Sequence, residues 1–392
     1  MAMTITASAN HTLDALLELV CFRIQLTDTQ DSKARGHYAA VSDWLARDGS
    51  PLQRLNPHIY PQGSQRLGTT TKPIGQTEFD LDAICRLDIQ EECHPGVVYR
   101  LLWERLWENR IYRPMMKRMP RCVRLEYAGD FHLDIAPAVP DLVWGGNCIL
   151  VPDLDANLAV EHPENDQWKS TNPRDFAQWF DKRCVERIVL NEKYARAQVD
   201  PVPDHEPVYA KAALKRSVQL FKRWRDKEYQ ERPKLSPPSI ILTTLAGHYY
   251  LGQSFCTDAL GRILESIVQR IESEETIRMT NPAHPVENIC EKWNKTPGSY
   301  RDFTNSVTAF RERWERLLYT RGLHDIEEEL ADLFGEAPVQ WAVRELAERQ
   351  VIRPRADRSL GVQRSTGVLA ASASALPVRS NTFFGDHQSV RK

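Results

Sequence analysis

Asp80 and Asp82 stand two residues apart in EFDLDAICRL (78–87), a segment in which apolar and polar residues alternate. Side chains at i and i+2 of a β-strand leave the same face, about 6.5–7 Å apart along the backbone. Both carboxylates therefore converge while Phe79 and Leu81 turn to the core, an arrangement suited to a divalent cation. Upstream, HIYPQGS (58–64) reads as a short strand closed by Gly63 and Ser64, where the glycine lets the backbone approach a phosphate and the amides and serine hydroxyl donate hydrogen bonds. Downstream, Asp134 shares the polar face of another strand with His132 and supplies a third carboxylate. An isolated Asp-x-Asp pair is more often an edge-protecting charge pair. The three features together follow the order that a two-metal phosphoryl-transfer site needs, with the acids gathered in one cavity. Gly63 and Gly68 also have the spacing of a phosphate-binding ATPase loop, but Thr69 stands where that loop requires Lys, which excludes a P-loop enzyme.

These residues need a sheet to hold them. VRLEYAGDFHLDIAPAV (123–139) reads as a hairpin turning at Gly129, and Leu101, Leu102, Trp103, Leu106 and Trp107 mark a helix packed against the strands. The chain opens with two helices: Leu13, Leu16, Leu17, Val20 and Ile24 line one, Tyr38, Val41, Trp44 and Leu45 the next, with capping chemistry at Thr27 and Asp28. Beyond about residue 165 the strand patterns stop and helical ones follow, including an apolar stripe of Leu214, Val218, Phe221 and Trp224. From Arg353 the periodicity is lost, and the one apolar island of the tail is Thr382–Gly385. His94, His162 and His284 each adjoin Pro and read as surface loop residues.

With 392 residues the chain exceeds one ordinary core. Its 51 basic and 53 acidic residues give a formal charge of −2, against a general nucleic-acid coat protein. Eight cysteines without a C-x-x-C pair signal neither a zinc ribbon nor a disulfide framework and fit a reducing cytoplasm. The first residues lack a signal peptide's pattern, and no apolar run approaches the length that spans a bilayer.

The Gly-Ser, Asp-x-Asp and distant Asp pattern resembles the polymerase-β-like nucleotidyltransferases. More narrowly, the chain is similar to the bacterial enzymes related to cyclic GMP–AMP synthase and oligoadenylate synthase (the CD-NTase family), which make cyclic oligonucleotide messengers for anti-phage defence. TDTQDSKARGHYAAVSDWL (27–45) resembles their N-terminal helix, NPRDFAQWF (172–180) the segment after the third acid, and NPAHPVENICEKW (281–293) their Pro-Glu-Asn motif. The resemblance implies an α+β fold, with a mixed sheet and flanking helices followed by a helical domain of oligoadenylate-synthase type. Its expected parts are a nucleotidyltransferase core with the N-terminal helices over 1–185, a helical domain closing the nucleotide pocket over 186–352, and a flexible tail over 353–392.

It further implies two Mg²⁺ ions, replaceable by Mn²⁺, on Asp80, Asp82 and Asp134. ATP, with GTP as a further substrate, would be held by Gly63, Ser64 and, through LFKRW (220–224) and LSPPSIILTTLA (235–246), by Lys222 and Ser239. Lys211 and Lys215 stand as substitutes for Lys222. The product would be a purine-containing cyclic di- or trinucleotide. A linear oligonucleotide synthase, another nucleotidyltransferase acting on RNA, a small molecule or a protein, and a catalytically silent binding module are the alternatives. The tail would be a handle for a regulatory or conjugating protein. Without a Cys/His cluster, zinc-dependent DNA sensing is not expected.

Overall fold

The computed structural model describes residues 2–75, 78–90, 93–154, 167–184 and 206–349, with three short strands beyond, and, within those ranges, the side chains from His11 to Arg349 other than Tyr209. His162 and Thr382–Gly385 lie outside the described residues. The chain begins with α1 (Ala2–Ile24) and α2 (Asp28–Ala46). Thr27 caps α2: its side chain accepts from the Gln30 amide, and the Gln30 side chain accepts from the Thr27 amide. The first half then runs β1 (His58–Gln62), α3 (Gly63–Leu67), β2 (Phe79–Arg86), α4 (Pro95–Trp107), β3 (Met116–Arg118), β4 (Val123–Tyr127), β5 (Phe131–Pro140), β6 (Ile149–Asp153), β7 (Gln167–Thr171) and α5 (Pro173–Arg183).

These seven strands form one mixed sheet in the order β1-β2-β5-β4-β3, with β6 pairing β5 and β7. The expected hairpin is β4–β5, turning at Gly129 with φ of 79°. Its second strand lies parallel to β2, with Asp82 opposite Asp134 and Asp80 opposite His132. The alternation in both strands sorts the two faces. Phe79, Leu81, Ala83, Phe131, Leu133 and Ile135 enter a core covered by α2 and α4. The other face carries the acids and a small apolar layer that includes Tyr60, Ile84 and Ala136.

The second half is built from α6 (Ala213–Glu228), α7 (Ser239–Tyr249), α8 (Cys256–Ser273), a hairpin of β8 (Thr280–Asn281) and β9 (His284–Asn288), α9 (Glu291–Lys295), α10 (Ser299–Tyr319), α11 (Leu323–Phe334) and α12 (Glu336–Ala347). Strands therefore do not end near residue 165: β7 and the β8–β9 hairpin follow. Their short, polar sequences, QWKST and HPVEN, carry no apolar alternation. Packing also runs across residue 185. Leu13, Leu16, Leu17 and Val20 of α1, and Phe176 and Phe180 of α5, are buried in the same core as Leu214, Phe221 and Trp314. The segment after α12 includes β10 (Leu360–Val362), β11 (Leu369–Ala371) and β12 (Leu376–Pro377), paired as a small antiparallel sheet where the sequence pattern gave only a flexible tail.

Candidate active site

β2 sets the site. Its face away from α2 and α4 presents Asp80 and Asp82, and the parallel register brings Asp134 beside Asp82. Just before them the chain leaves β1 through Gly63, whose φ of 62° belongs to the left-handed region. A Cβ there would drive into the Asp82 Oδ2 carboxylate oxygen, so glycine is what lets this acid and the α3 turn share the space. Ser64 begins α3, its hydroxyl 3.2 Å from that of Thr70. Gln65 pins the helix by donating to Asp31 Oδ1 at 2.7 Å and accepting from Thr70 Oγ1 at 3.0 Å.

The helical half answers with cations. Lys222 on α6 is buried, and its Nζ donates to the Thr69 carbonyl at 3.0 Å. The lysine that position 69 lacks is thus delivered from across the cavity. Arg225, one turn on, donates through Nη1 to the Ser239 hydroxyl at 2.7 Å at the start of α7. A cavity of about 870 Å³ lies between the halves, lined by Gly63, Ser64, Asp80, Asp82, Lys222 and Ser239. Thr69 Oγ1 also faces it, buried and without a hydrogen-bond partner, as a phosphate-binding hydroxyl awaiting its acceptor would be.

Asp134 lines a different recess of about 480 Å³, together with Asp82, Trp168, Lys169 and Asn288. Asp82 lines both recesses, so the three acids stand where the two adjoin. Arg124, facing Asp134 across the β4–β5 register, grips both its carboxylate oxygens at 2.7 Å and reaches Asp80 Oδ1 at 3.4 Å. Among the described residues no three Cys, His, Asp or Glu side chains form a ready cation cage. Asp134 is engaged by the Arg124 guanidinium instead.

Burial, then Asp134 and Asp80, push the Asp82 carboxyl up to about 7. Burial raises Asp80 as well, against the pull of Arg124. Burial, with repulsion from Arg225, lowers Lys222 to about 8. Crowded acids that resist ionisation offer hard oxygen ligands, and ligands of this kind fit a divalent cation.

All seven residues singled out in the sequence thus reach the two cavities, while the substitutes do not. Lys211 donates to Gln25 and Lys215 to Glu206, behind α3. His132 pairs with Glu78 at 3.0 Å, and His94 caps α4 by accepting from the Gly96 amide. His284 is not a surface residue but 1% exposed, its Nε2 2.7 Å from the Ser170 hydroxyl. Arg124 and Arg225 went unnoticed, and Thr69 was read only as the residue that excludes a P-loop. The first was legible as the one cation inside the β4 alternation, whereas the other two depend on tertiary packing.

Comparison with known proteins agrees with this construction. Residues 12–183 match the family model of the second messenger oligonucleotide or dinucleotide synthetase domain. The chain is 32% identical to a c-di-GMP synthase of Roseivirga ehrenbergii, over 98% of this chain and all of that one. It is 27% identical to the cyclic dinucleotide synthase CdnG of Bradyrhizobium diazoefficiens, over 93% of this chain and 90% of that protein. The solved structure of that CdnG in complex with GTP superposes with a TM-score of 0.67 at 25% identity, covering 86% of this chain and 99% of the other. An acid-bearing mixed sheet facing a cation-bearing helical half, matched end to end by such relatives, places this chain in the CD-NTase family of bacterial nucleotidyltransferases related to cyclic GMP–AMP synthase.

Proposed function

We propose that this chain joins two purine nucleoside triphosphates, GTP among them, into a cyclic dinucleotide with release of pyrophosphate, as a signal in anti-phage defence. The observation that carries the reading is the shared position of Asp82 between two recesses, one lined by Lys222, Ser64 and Ser239 and the other by Trp168, Lys169 and Asn288. Lys222, Ser64, Ser239 and the unpartnered Thr69 hydroxyl hold the donor triphosphate in the larger cavity. The smaller recess, walled by Trp168 and Asn288, takes the acceptor nucleotide and presents its ribose hydroxyl to the donor α-phosphorus. Bond formation expels pyrophosphate, and the linear product turns so that its remaining hydroxyl meets its own 5′-triphosphate. Asp80, Asp82 and Asp134 are the residues that would hold two divalent cations, Mg²⁺ or in its place Mn²⁺, which neutralise triphosphate charge and lower the pKa of the attacking hydroxyl. Positioning and charge neutralisation supply most of the catalysis in such transfers.

The eight cysteines are free thiols, which suits a cytoplasmic enzyme, and no helix among the described residues is long and apolar enough to cross a membrane. A regulatory or conjugating protein at residues 380–392 rests on the apolar Thr382–Gly385 alone, and a pull-down with and without that segment tests it. For the activity, purified protein is incubated with labelled GTP and ATP, singly and paired, and the product is treated with alkaline phosphatase and identified by mass spectrometry. A phosphatase-resistant cyclic dinucleotide is expected. A product that loses its terminal phosphate would identify a linear synthase instead.

A further inference from the structure

Residues 69–75 separate the nucleotide cavity from a recess of about 660 Å³ on the other side of the chain. Three cations line that recess: Arg23 from the end of α1, Lys72, and Arg223 from α6. Among the described residues no Asp or Glu lines it, and the polar groups that do are Thr27, Thr29 and Gln30 at the start of α2. Among the described residues none of the three cations has a carboxylate within ion-pair range.

Arg223 is the telling member. It is 8% exposed, yet among the described residues its hydrogen bonds go to neutral carbonyls, Nε donating to that of Phe334 at 2.9 Å and Nη1 to that of Lys72 at 3.3 Å, while Asp226 acts on it only from beyond ion-pair range. Lys72 Nζ reaches only the Arg23 carbonyl, at 3.4 Å. Buried charges are ordinarily paired, because desolvation is costly when nothing offsets it. Here burial holds the protonation equilibria of Arg223 and Lys72 below their ordinary values, and Arg23 adds repulsion to Lys72. The recess pays a standing penalty that a bound anion would remove.

We propose that this recess is a second binding site, separate from the nucleotide cavity, for a small ligand carrying at least two negative charges as phosphate or carboxylate groups. Arg223 and Lys72 hold one anionic group at the inner wall. Arg23 and the α2 threonines meet the other at the mouth. Lys222 and Arg223 are neighbours on α6, and each fastens the intervening chain, one through the Thr69 carbonyl and one through that of Lys72. Binding in front and binding behind must therefore be told apart.

The test is calorimetric titration of the full chain, free of divalent cations, with tripolyphosphate and separately with citrate. The proteins compared are the native chain, Lys72→Gln, Arg23→Gln and Lys222→Met. One binding event is expected to survive Lys222→Met and to weaken about tenfold in each glutamine variant, the loss of one charge-assisted contact. Tripolyphosphate binding more tightly assigns a phosphorylated ligand; citrate doing so assigns a polycarboxylate. Absence of binding to the native chain, binding unchanged in both glutamine variants, or binding lost only in Lys222→Met would overturn the proposal. Arg23 is exposed and Lys72 half-buried, and a melting curve for each variant separates loss of binding from loss of fold.

Discussion

The sheet half and the helical half meet the same cavity with opposite charge. Asp80 and Asp82 come from the sheet, Lys222 and Arg225 from the helices, and among the described residues no ion pair joins the two sets across the gap, Arg225 pairing instead with its neighbour Asp226. Arg124 is the exception that defines the pattern, a cation of the sheet half spent on the sheet's own Asp134. A metal–triphosphate complex satisfies both halves at once, its cations meeting the acids and its phosphate oxygens the lysine and the hydroxyls. Division of labour between two differently folded halves thus makes substrate, rather than protein, the bridge.

Breaking the sheet's contribution should have the largest effect. Asp82→Asn is expected to lower product formation by about three orders of magnitude or more while leaving the melting temperature unchanged or higher, because it removes like-charge crowding. Product mass spectrometry and a thermal melt check both parts, and a variant retaining a tenth of native activity would contradict the division. Gly63→Ala comes next: it leaves every charge in place but pushes on the Asp82 carboxylate from a left-handed backbone position, so activity should fall about a hundredfold. On the helical side, Lys222→Met should raise the KM for GTP about tenfold with a smaller change in kcat, as expected for loss of one charge-assisted hydrogen bond to the triphosphate.

The smallest effect is the most diagnostic of where the acids stand. Asp82 keeps its proton in the folded protein up to about pH 7, whereas in the unfolded chain it ionises near pH 4. Across that window the folded state binds more protons, so the stability of metal-free protein falls as pH rises from about 4 to 7. Divalent cation reverses the preference by favouring the ionised acid. Adding Mg²⁺ should therefore raise the melting temperature by roughly 2–4 °C more at pH 8 than at pH 6, and Asp82→Asn should abolish that difference. Equal Mg²⁺ effects at the two pH values would argue against cation binding at Asp82.

The sheet half was the more readable in sequence, for a physical reason. Alternation in 78–87 and 123–139 reports directly which side chains leave which face, so Asp80, Asp82 and Asp134 were legible before any packing was known. The parallel pairing that seats Asp134 beside Asp82 was not, because register between strands so distant in the chain is a tertiary fact. In the helical half, periodicity located α6 but not what Lys222 reaches, and resemblance alone nominated it. The short strands β6 to β9 and the membership of α1 in the helical core escaped for a related cause. Strands of two to five residues, polar in β7 to β9 and broken by Pro152 in β6, are too short for a periodic signature, and an amphipathic helix announces that it has an apolar face without naming the surface that covers it.

The pairing of β2 with β5 carries a consequence for how the chain acquires its activity. A slip of one residue in either strand would turn its acids into the layer beneath α2 and α4 and expose Leu81 or Leu133 to water. Such a mistake produces an unstable molecule rather than a slow catalyst. Every copy that survives folding therefore emerges with its aspartates correctly aimed, and quality control of the fold serves as quality control of the signal.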